Sequence, residues 1–246
     1  MSLLLYAIID NKKVDYEINE FIDKLALDTN VRLQIIRLNN LYALVSSISR
    51  EKSDVSRNDL LIYAEIVDKI SEKYTVLPMR YGSVLDADND VVIYLKNNES
   101  SFTDSLELLY NKEEYAVKLL FSAKKNNAPV KDTFSCQKKS LPAVLQGNTE
   151  SKKYLLNKYE NYTVQEQRDK YIENIKSYFA SKIHTIATYV DFKKPLSSTI
   201  IIDAVILIEK SKKNELLDIV LKMQALYPEH NIILTGPWPP YNFTKI

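Results

Sequence analysis

The sequence predicts an α+β protein with two domains. A chain of 246 residues is long enough for one or two domains that each bury a core. Short apolar runs typical of strands occur along the whole chain together with amphipathic stretches typical of helices. A second pattern of elements begins near residue 113. We therefore predict an N-terminal mixed α+β domain over residues 1–112 and a C-terminal domain over residues 113–246.

The N-terminal domain begins with four predicted elements. They are a strand, a helix and two strands, at residues 3–9, 16–27, 31–38 and 41–47. The last two strands are separated only by Asn39 and Asn40. Asparagine tolerates a positive φ, so we predict a tight hairpin at this point.

The rest of this domain is predicted to be mostly helical. Ser56 and Asp59 have the spacing of a capping box, which marks the start of a helix. The apolar face of that helix is formed by Leu60, Tyr63, Ile66, Val67 and Ile70. Pro78 has no amide donor, so the run around it is predicted to be an edge or crossing segment. Two more helices are predicted over residues 87–97 and 102–112.

The C-terminal domain is predicted to have the order strand, long helical insertion, strand, strand, helix, strand. The predicted elements lie at residues 115–121, 149–182, 183–192, 199–209, 212–227 and 231–235. This order is that of a ferredoxin-like split βαβ fold with an enlarged first crossover. The helical insertion carries two separate apolar stripes. The polar residues 124–147, which precede it, predict a partly flexible loop.

The chain ends in a segment, residues 234–243, whose backbone has little freedom. It contains one of the three glycines, the only tryptophan, two other aromatic residues and three of the eight prolines: Gly236, Trp238, Tyr241, Phe243, Pro237, Pro239 and Pro240. Each proline fixes its own φ and restricts the residue before it. We predict a rigid tail whose aromatic rings pack on the body as a clasp, gaining about 1.5–3 kcal/mol per ring. The alternatives are an aromatic docking surface and a PxxP ligand of an SH3-like groove.

Composition excludes several classes of function. Lysine and arginine number 33 and acidic residues 32, so the net charge of +1 argues against nucleic acid or an anionic membrane as the main partner. Cys136 is the only cysteine, which rules out an internal disulfide and favours a reducing, cytoplasmic compartment. The apolar start lacks a preceding basic segment and predicts a strand, not a signal peptide. The longest apolar stretch, residues 200–208, is too short to span a bilayer.

No catalytic, cofactor or metal site is predicted. His184, in a predicted strand, and His230, in a predicted turn, do not have metal-ligand spacing. Asp86-Ala87-Asp88-Asn89-Asp90 resembles the start of a calcium loop but lacks its glycine and glutamate, so we assign it to a helix N-terminus. Asp203 interrupts a buried strand and predicts a lysine partner or a sheet-edge position. Arg80, between Met79 and Tyr81, is the best candidate for a buried functional charge, and the alternative is a structural arginine that satisfies backbone carbonyls.

Three segments of the chain resemble signature segments of the gas vesicle proteins GvpF and GvpL. The first is the tail, from Leu234 to Phe243. The second resembles the family segment Leu-Pro-Met-Arg-Phe-Gly, with tyrosine in place of phenylalanine: Leu77, Pro78, Met79, Arg80, Tyr81 and Gly82. The third resembles a helix motif that starts from a glycine, here Gly147 followed after a longer gap by Tyr154 and Leu155. Tyr63 is a departure, because the family frequently has a histidine at the aligned position.

The resemblance implies a fold and a role. The fold has two α+β domains, of which the second is ferredoxin-like and enlarged by an inserted set of tandem helices. The role is in assembling gas vesicles, the gas-filled protein shells that give aquatic microbes buoyancy, as a minor component or accessory factor inside the cell. The implied partners are the small hydrophobic shell protein GvpA and other gas vesicle accessory proteins, with no cofactor, enzymatic activity, nucleic acid or lipid membrane.

Two surfaces are candidates for binding the shell protein. One is the outer face of residues 149–182, with the tyrosines Tyr159, Tyr162, Tyr171 and Tyr178, and the other is the tail over residues 238–243. Intramolecular packing is the alternative for both. The alternative functions are a scaffold that bridges other gas vesicle accessory proteins and a small-molecule-binding enzyme with a pocket around Arg80 and Asp203.

Overall fold

A computed structural model describes residues 2–10, 17–48, 56–121 and 150–244, and the α+β class is confirmed. These residues form six α-helices: α1 Ile18–Thr29, α2 Arg57–Lys73, α3 Asp88–Asn97, α4 Glu99–Leu109, α5 Glu150–Ile183 and α6 Lys213–Leu226. They also form nine strands: β1 Ser2–Asp10, β2 Leu33–Leu38, β3 Leu41–Ile48, β4 Val76–Pro78, β5 Val84–Leu85, β6 Lys112–Phe121, β7 Ala187–Phe192, β8 Ile200–Glu209 and β9 His230–Trp238. The predicted loop over residues 124–147, Cys136 and Gly147 lie outside the described residues.

The first sheet has the strand order β2-β3-β1-β4, and β5 also pairs with β1. The predicted hairpin joins β2 to β3, and Asn39 at its turn has a φ of 48°. Pro78 ends β4, which lies at an edge of the sheet as predicted. The register between β1 and β3 shifts between Leu5 and Ala7, which marks a β-bulge.

The side chains of β1 enter two apolar cores, one on each face of the sheet. Leu3, Leu5 and Ile8 belong to the core that contains residues of α3 and α4. The core that contains residues of α1 and α2 takes Leu4, Tyr6, Ala7 and Ile9. Tyr6 and Ala7 are neighbours on the same face because the bulge interrupts the normal alternation. All nine residues of β1 are therefore buried, and the strand is the centre of this sheet.

Helix α2 begins with the predicted capping box. The Ser56 hydroxyl accepts from the Asp59 amide at 3.1 Å, and the Asp59 carboxylate accepts from the Ser56 amide at 3.3 Å. Four of the five predicted apolar positions on this helix are buried, but Leu60 is exposed. Helix α3 begins at Asp88, so two acidic residues of the segment that resembles a calcium loop, Asp88 and Asp90, lie in its first turn, and Asp86 precedes it.

The second sheet has the order β7-β8-β6-β9, which is the ferredoxin-like order expected from the sequence. Phe121 of β6 donates its amide to the Thr199 carbonyl beside the start of β8, at 2.9 Å. Of the insertion predicted after β6, the structure describes Glu150–Ile183, which is one continuous helix. Neither glycine nor proline occurs in this range to interrupt it.

Several element boundaries differ from the prediction. Helix α4 runs over Glu99–Leu109 rather than 102–112, because β6 already begins at Lys112. His184 is in an exposed turn after α5, not in a strand, and His230 is the buried first residue of β9. The last strand continues past residue 235 to Trp238, which its position at the edge of the sheet permits despite Pro237.

The chain forms two compact units. The first contains Met1–Tyr115, Leu207–Lys210 and Gly236–Ile246, and the second contains Ala116–Ile206 and Ser211–Thr235. The division within β6 is close to the boundary predicted near residue 113. The tail, which we predicted within the second domain, belongs to the first unit, and its contacts are with Glu114, Tyr115 and the apolar core that contains residues of α3 and α4.

Candidate functional site

The residues considered for catalysis do not form a catalytic arrangement. Arg80 is exposed, which corrects the prediction of a buried charge, because the turn that carries it points outward from the end of β4. No group of three histidine, cysteine or acidic side chains that could hold a metal ion occurs among the described residues. Within the same residues, no helix is both long enough and apolar enough to cross a membrane.

The signature segment at residues 77–82 forms the end of β4 and a tight turn. Leu77, Pro78 and Met79 are buried, and the Met79 amide donates to the Tyr6 carbonyl at 2.8 Å. The Ser83 amide closes the turn by donating to the Arg80 carbonyl at 3.1 Å. A side chain at Gly82 would meet no neighbour, so the glycine is required only for its φ of 90°.

The side chain of Tyr63 holds this turn against β1. Its hydroxyl donates to the Met79 carbonyl at 2.6 Å and lies 3.3 Å from the carbonyl oxygens of Leu5 and Tyr6. The ring stacks on Tyr6 and meets Tyr81 edge to face, with centroid distances of 4.9 and 5.1 Å. Burial raises the pKa of the Tyr63 phenol well above its ordinary value. The phenol therefore stays neutral, and its hydrogen bonds hold the bulge in place.

The tail is attached to the first unit by backbone contact and by one buried carboxylate. Gly236 has a φ of 120°, and a Cβ there would lie 2.8 Å from the Glu114 carbonyl oxygen. Glu114 is buried and accepts from the Asn242 amide at 3.0 Å and from the Asn242 side-chain nitrogen at 2.6 Å. Phe243 packs against an apolar core, and Pro239 is buried. This attachment is consistent with a clasp, and sequence reasoning missed Glu114 because its partner is 128 residues away.

The other two aromatic residues of the tail are not packed in the way we predicted. Trp238 remains 46% exposed and Tyr241 40% exposed, whereas Phe243 is partly buried against a core. Burial, together with the nearby charge of Asp68, raises the pKa of Tyr241 to about 12. The tail therefore presents an indole and a neutral phenol at the surface of the first unit.

In the second unit, the carboxylate of Asp203 has the predicted lysine partner. The Lys118 nitrogen is 3.6 Å from an Asp203 oxygen, and the Asp203 side chain is only 11% exposed. Asp203 also lines a cavity of about 250 Å³ between α5 and the β7–β8 strands, whose other walls include Ala180, Phe192 and Ile201. A carboxylate paired in this way, beside mainly apolar walls, forms a structural ion pair rather than an acid–base centre.

The tyrosines of α5 fall into two groups. In the first turns, four large side chains are exposed by 41% to 71%: Tyr154, Leu155, Tyr159 and Tyr162. Leu155, Tyr159 and Tyr162 are spaced by four and three residues, so they share one face of the helix. Tyr171 and Tyr178, nearer the other end, are partly buried instead. The predicted partner surface is therefore available only in the N-terminal half of the helix.

Tyr171 belongs to a polar network that sequence reasoning did not identify. Its hydroxyl donates to the Glu229 carboxylate at 2.5 Å and lies 3.0 Å from Nε2 of His230. His230 is buried and meets the Phe121 ring edge to face at 5.1 Å. Burial and the bond to Glu229 raise the pKa of Tyr171. These contacts fix the C-terminal half of α5 to the segment before β9.

Comparisons with known proteins agree with the resemblance seen in the sequence. The family model for gas vesicle synthesis protein GvpL/GvpF matches residues 2–245. Gas vesicle protein L1 of Halobacterium salinarum is 27% identical over 203 residues, which cover 75% of this chain and 69% of that protein. The crystal structure of GvpF from Anabaena sp. PCC7120 superposes with a TM-score of 0.75 at 17% identity, covering 100% of this chain and 98% of that one. GvpF from Microcystis aeruginosa gives 0.69 at 18% identity, with 100% and 99% covered. At these identities the two structures establish the fold.

Proposed function

Because the chain belongs to the GvpL/GvpF family of gas vesicle synthesis proteins, we propose that it binds the hydrophobic shell protein GvpA and helps to start vesicle assembly without catalysis. A gas vesicle role, in company with other gas vesicle proteins, follows from the family itself. The choice of GvpA as partner and the mode of action are the proposal. A protein that covers apolar subunits before they assemble limits their aggregation.

The observation that supports this proposal is the exposed apolar face at the start of α5. Leu155, Tyr159 and Tyr162 are 50%, 41% and 71% exposed, and Tyr154 beside them is 65% exposed. At about 1.5 Å per residue, residues 154–162 extend over about 12 Å of helix. Covering such side chains gains about 1.5–3 kcal/mol each, which is sufficient for an anchor that binds an apolar partner.

The partner's chemistry matches this face better than it matches the tail. A shell subunit presents apolar surface, and three of the α5 side chains are tyrosines, which bury large rings at a low cost in conformational entropy. Trp238 and Tyr241 in the tail lie beside the carboxylate of Asp68 and other charged groups. A carboxylate within the binding surface is a poor match for a purely apolar partner, because it loses hydration on binding, and none of the four exposed α5 side chains is charged.

The test is co-expression with GvpA followed by affinity purification of this chain. Replacing Leu155, Tyr159 and Tyr162 by glutamine keeps helix propensity while removing the apolar face. The matched control replaces three exposed leucines of α6 by glutamine in the same way. They are Leu217, Leu221 and Leu226, which are 40%, 66% and 55% exposed. We expect the α5 variant to retain less than about a tenth of the bound GvpA and the α6 variant to retain nearly all of it.

Two results would change the assignment. Full retention of GvpA by a folded α5 variant contradicts the proposed surface. Retention of GvpA with loss of other co-expressed gas vesicle accessory proteins would favour the alternative, a scaffold that bridges those proteins. Circular dichroism of both variants checks that the helical content is unchanged.

A further inference from the structure

The cavity of about 250 Å³ in the second unit lies between the C-terminal half of α5 and the β7–β8 edge of the sheet. Its α5 wall is formed by Lys176, Ser177 and Ala180. Ala180 follows the other two by four and three residues, so all three lie on the same side of the helix. The opposite wall comes from β7, β8 and the segment between them: Phe192, Lys193, Pro195, Ile201, Ile202 and Asp203.

The volume of the cavity limits the size of a ligand. A cavity of about 150 Å³ is enough to hold benzene. Drug-sized ligands occupy pockets of about 300–1,000 Å³. A volume of about 250 Å³ therefore suits a molecule of about ten non-hydrogen atoms and is too small for a nucleotide cofactor.

The walls of the cavity favour an apolar group on that molecule. Phe192 meets the buried ring of Phe179 edge to face, at a centroid distance of 6.2 Å, yet it remains 43% exposed. Ala180, Pro195 and Ile202 add aliphatic surface around the cavity. An apolar chain placed there would be removed from water, and each methylene buried is expected to strengthen binding about fourfold.

The charges at the cavity favour an anionic head group. Asp203 is paired with Lys118 at 3.6 Å, and Lys193 is paired with Asp191. Lys176 is exposed and forms no ion pair within residues 2–10, 17–48, 56–121 and 150–244. The charge that lacks an opposite partner among the groups lining the cavity is therefore positive.

We propose that this cavity binds a small amphipathic carboxylate, with its apolar group against Phe192 and its carboxylate at Lys176. The Ser177 hydroxyl, beside Lys176, forms no hydrogen bond within the described part of the chain and can donate to the same carboxylate. An amine with the same apolar group is disfavoured, because its charge would meet the unpaired lysine.

This site is distinct from the proposed GvpA surface at the start of α5. Tyr162, the last residue of that surface, precedes Lys176 by fourteen positions, which is about 21 Å along the helix. The two surfaces also differ in chemistry, because the exposed large side chains at the start of α5 carry no charge. The cavity therefore adds a ligand site to the proposed function and does not depend on it.

The experiment titrates the whole ¹⁵N-labelled protein with octanoate and follows the amide resonances by NMR. Octanoate has about ten non-hydrogen atoms, for which we expect a Kd of about 1 mM. The amides of residues 176–180, 192–194 and 200–203 should shift and saturate. Butanoate, with four fewer methylenes, is expected to bind at least about tenfold more weakly, and octylammonium at least about fivefold more weakly.

Two variants of α5 separate the head group from the apolar group. Lys176→Gln is expected to weaken octanoate binding by about fivefold. Its matched control is Lys170→Gln, an exposed lysine on the same helix that is already paired with Glu166, and it should weaken binding by less than about twofold. Ala180→Leu narrows the cavity and is expected to weaken binding by more than about tenfold. The amide spectrum of each variant shows whether the fold is kept.

The proposal is overturned by any of four results. They are no saturable shift with octanoate, shifts confined to residues outside the cavity, equal binding of octanoate and octylammonium, and equal weakening by Lys176→Gln and Lys170→Gln. Unchanged binding by a folded Ala180→Leu variant would overturn it as well. None of these measurements contains GvpA, so the cavity can fail while the α5 proposal stands, and the reverse also holds.

Discussion

Aromatic residues have opposite surroundings in two regions of the molecule. Around Tyr63 in the first unit, the phenol and its ring neighbours are packed together and hydrogen-bonded to the backbone. At the start of α5 in the second unit, Tyr154, Tyr159 and Tyr162 face solvent. Both regions contain signature residues, but in the first they are packed into the fold, whereas Tyr154 and Leu155 in the second are exposed. The contrast indicates that a signature residue can serve either the fold or an exposed surface, and that its burial separates the two cases.

The largest loss of stability is expected for Gly236→Ala, in the tail of the first unit. A Cβ at this position would lie 2.8 Å from the Glu114 carbonyl oxygen and 2.9 Å from the Tyr115 ring, at a φ of 120°. We expect a loss of about 3 kcal/mol in the free energy of unfolding, measured by urea denaturation. Gly82→Ala is the control, because its φ of 90° is strained but its Cβ meets nothing, and it should cost only about 1 kcal/mol. Equal costs would show that close packing at Gly236 is unimportant.

Tyr63→Phe is expected to have the next largest effect. The Met79 carbonyl would lose its 2.6 Å hydrogen bond and remain buried, at a cost of about 1–3 kcal/mol. Urea denaturation at pH 7 measures the loss. The comparison is Tyr94→Phe, because the Tyr94 ring packs against Phe102 and its hydroxyl donates no described hydrogen bond. This change should alter stability by less than about 0.5 kcal/mol.

The same tyrosine predicts a pH dependence. Its pKa is raised in the folded protein, so its contribution to stability is complete below the unfolded pKa of 10.0 and decreases as the pH rises above it. Between about pH 10 and pH 12, the difference in stability between the parent protein and Tyr63→Phe should therefore shrink. If this difference in stability stayed constant from pH 10 to pH 12, burial would not raise the pKa of Tyr63. Thermal unfolding followed by circular dichroism gives this comparison.

The smallest expected effects on stability occur at the proposed binding surface on α5 and at the partly buried carboxylate of Asp68. Tyr159→Gln and Tyr162→Gln remove exposed rings, so each should change the free energy of unfolding by less than about 0.5 kcal/mol. Asp68→Asn should leave stability unchanged or raise it at pH 7, because the raised pKa disfavours the folded carboxylate there. Strong destabilisation by any of the three, in urea, would assign that residue to the fold instead.

Local signals in the sequence predicted much of the fold. The capping box at Ser56, the asparagine turn at Asn39 and the order of elements after residue 113 all depend on neighbours in the chain, and all are present. Arg80 was predicted to be buried because apolar residues flank it, but a turn reverses the chain there and exposes it. Sequence periodicity describes a continuing helix or strand and gives no information about such a reversal.

The candidate sites depended on contacts that no local pattern contains. Glu114 meets Asn242 across 128 residues, and Tyr171 meets His230 across 59. The first contact attaches the tail to the first unit, and the second removes Tyr171 from the predicted partner surface. The family resemblance predicted the gas vesicle role. The structure was needed to show that the large side chains are exposed in the N-terminal half of α5 and partly buried in the C-terminal half.

The most direct test is hydrogen–deuterium exchange of this chain, alone and in the complex co-purified with GvpA. The proposed function predicts slower exchange of the amides of residues 150–162 in the complex, with unchanged exchange in the turn at residues 79–83. Slower exchange confined to other parts of the chain, with residues 150–162 unaffected, would contradict the claim that the start of α5 binds the shell protein.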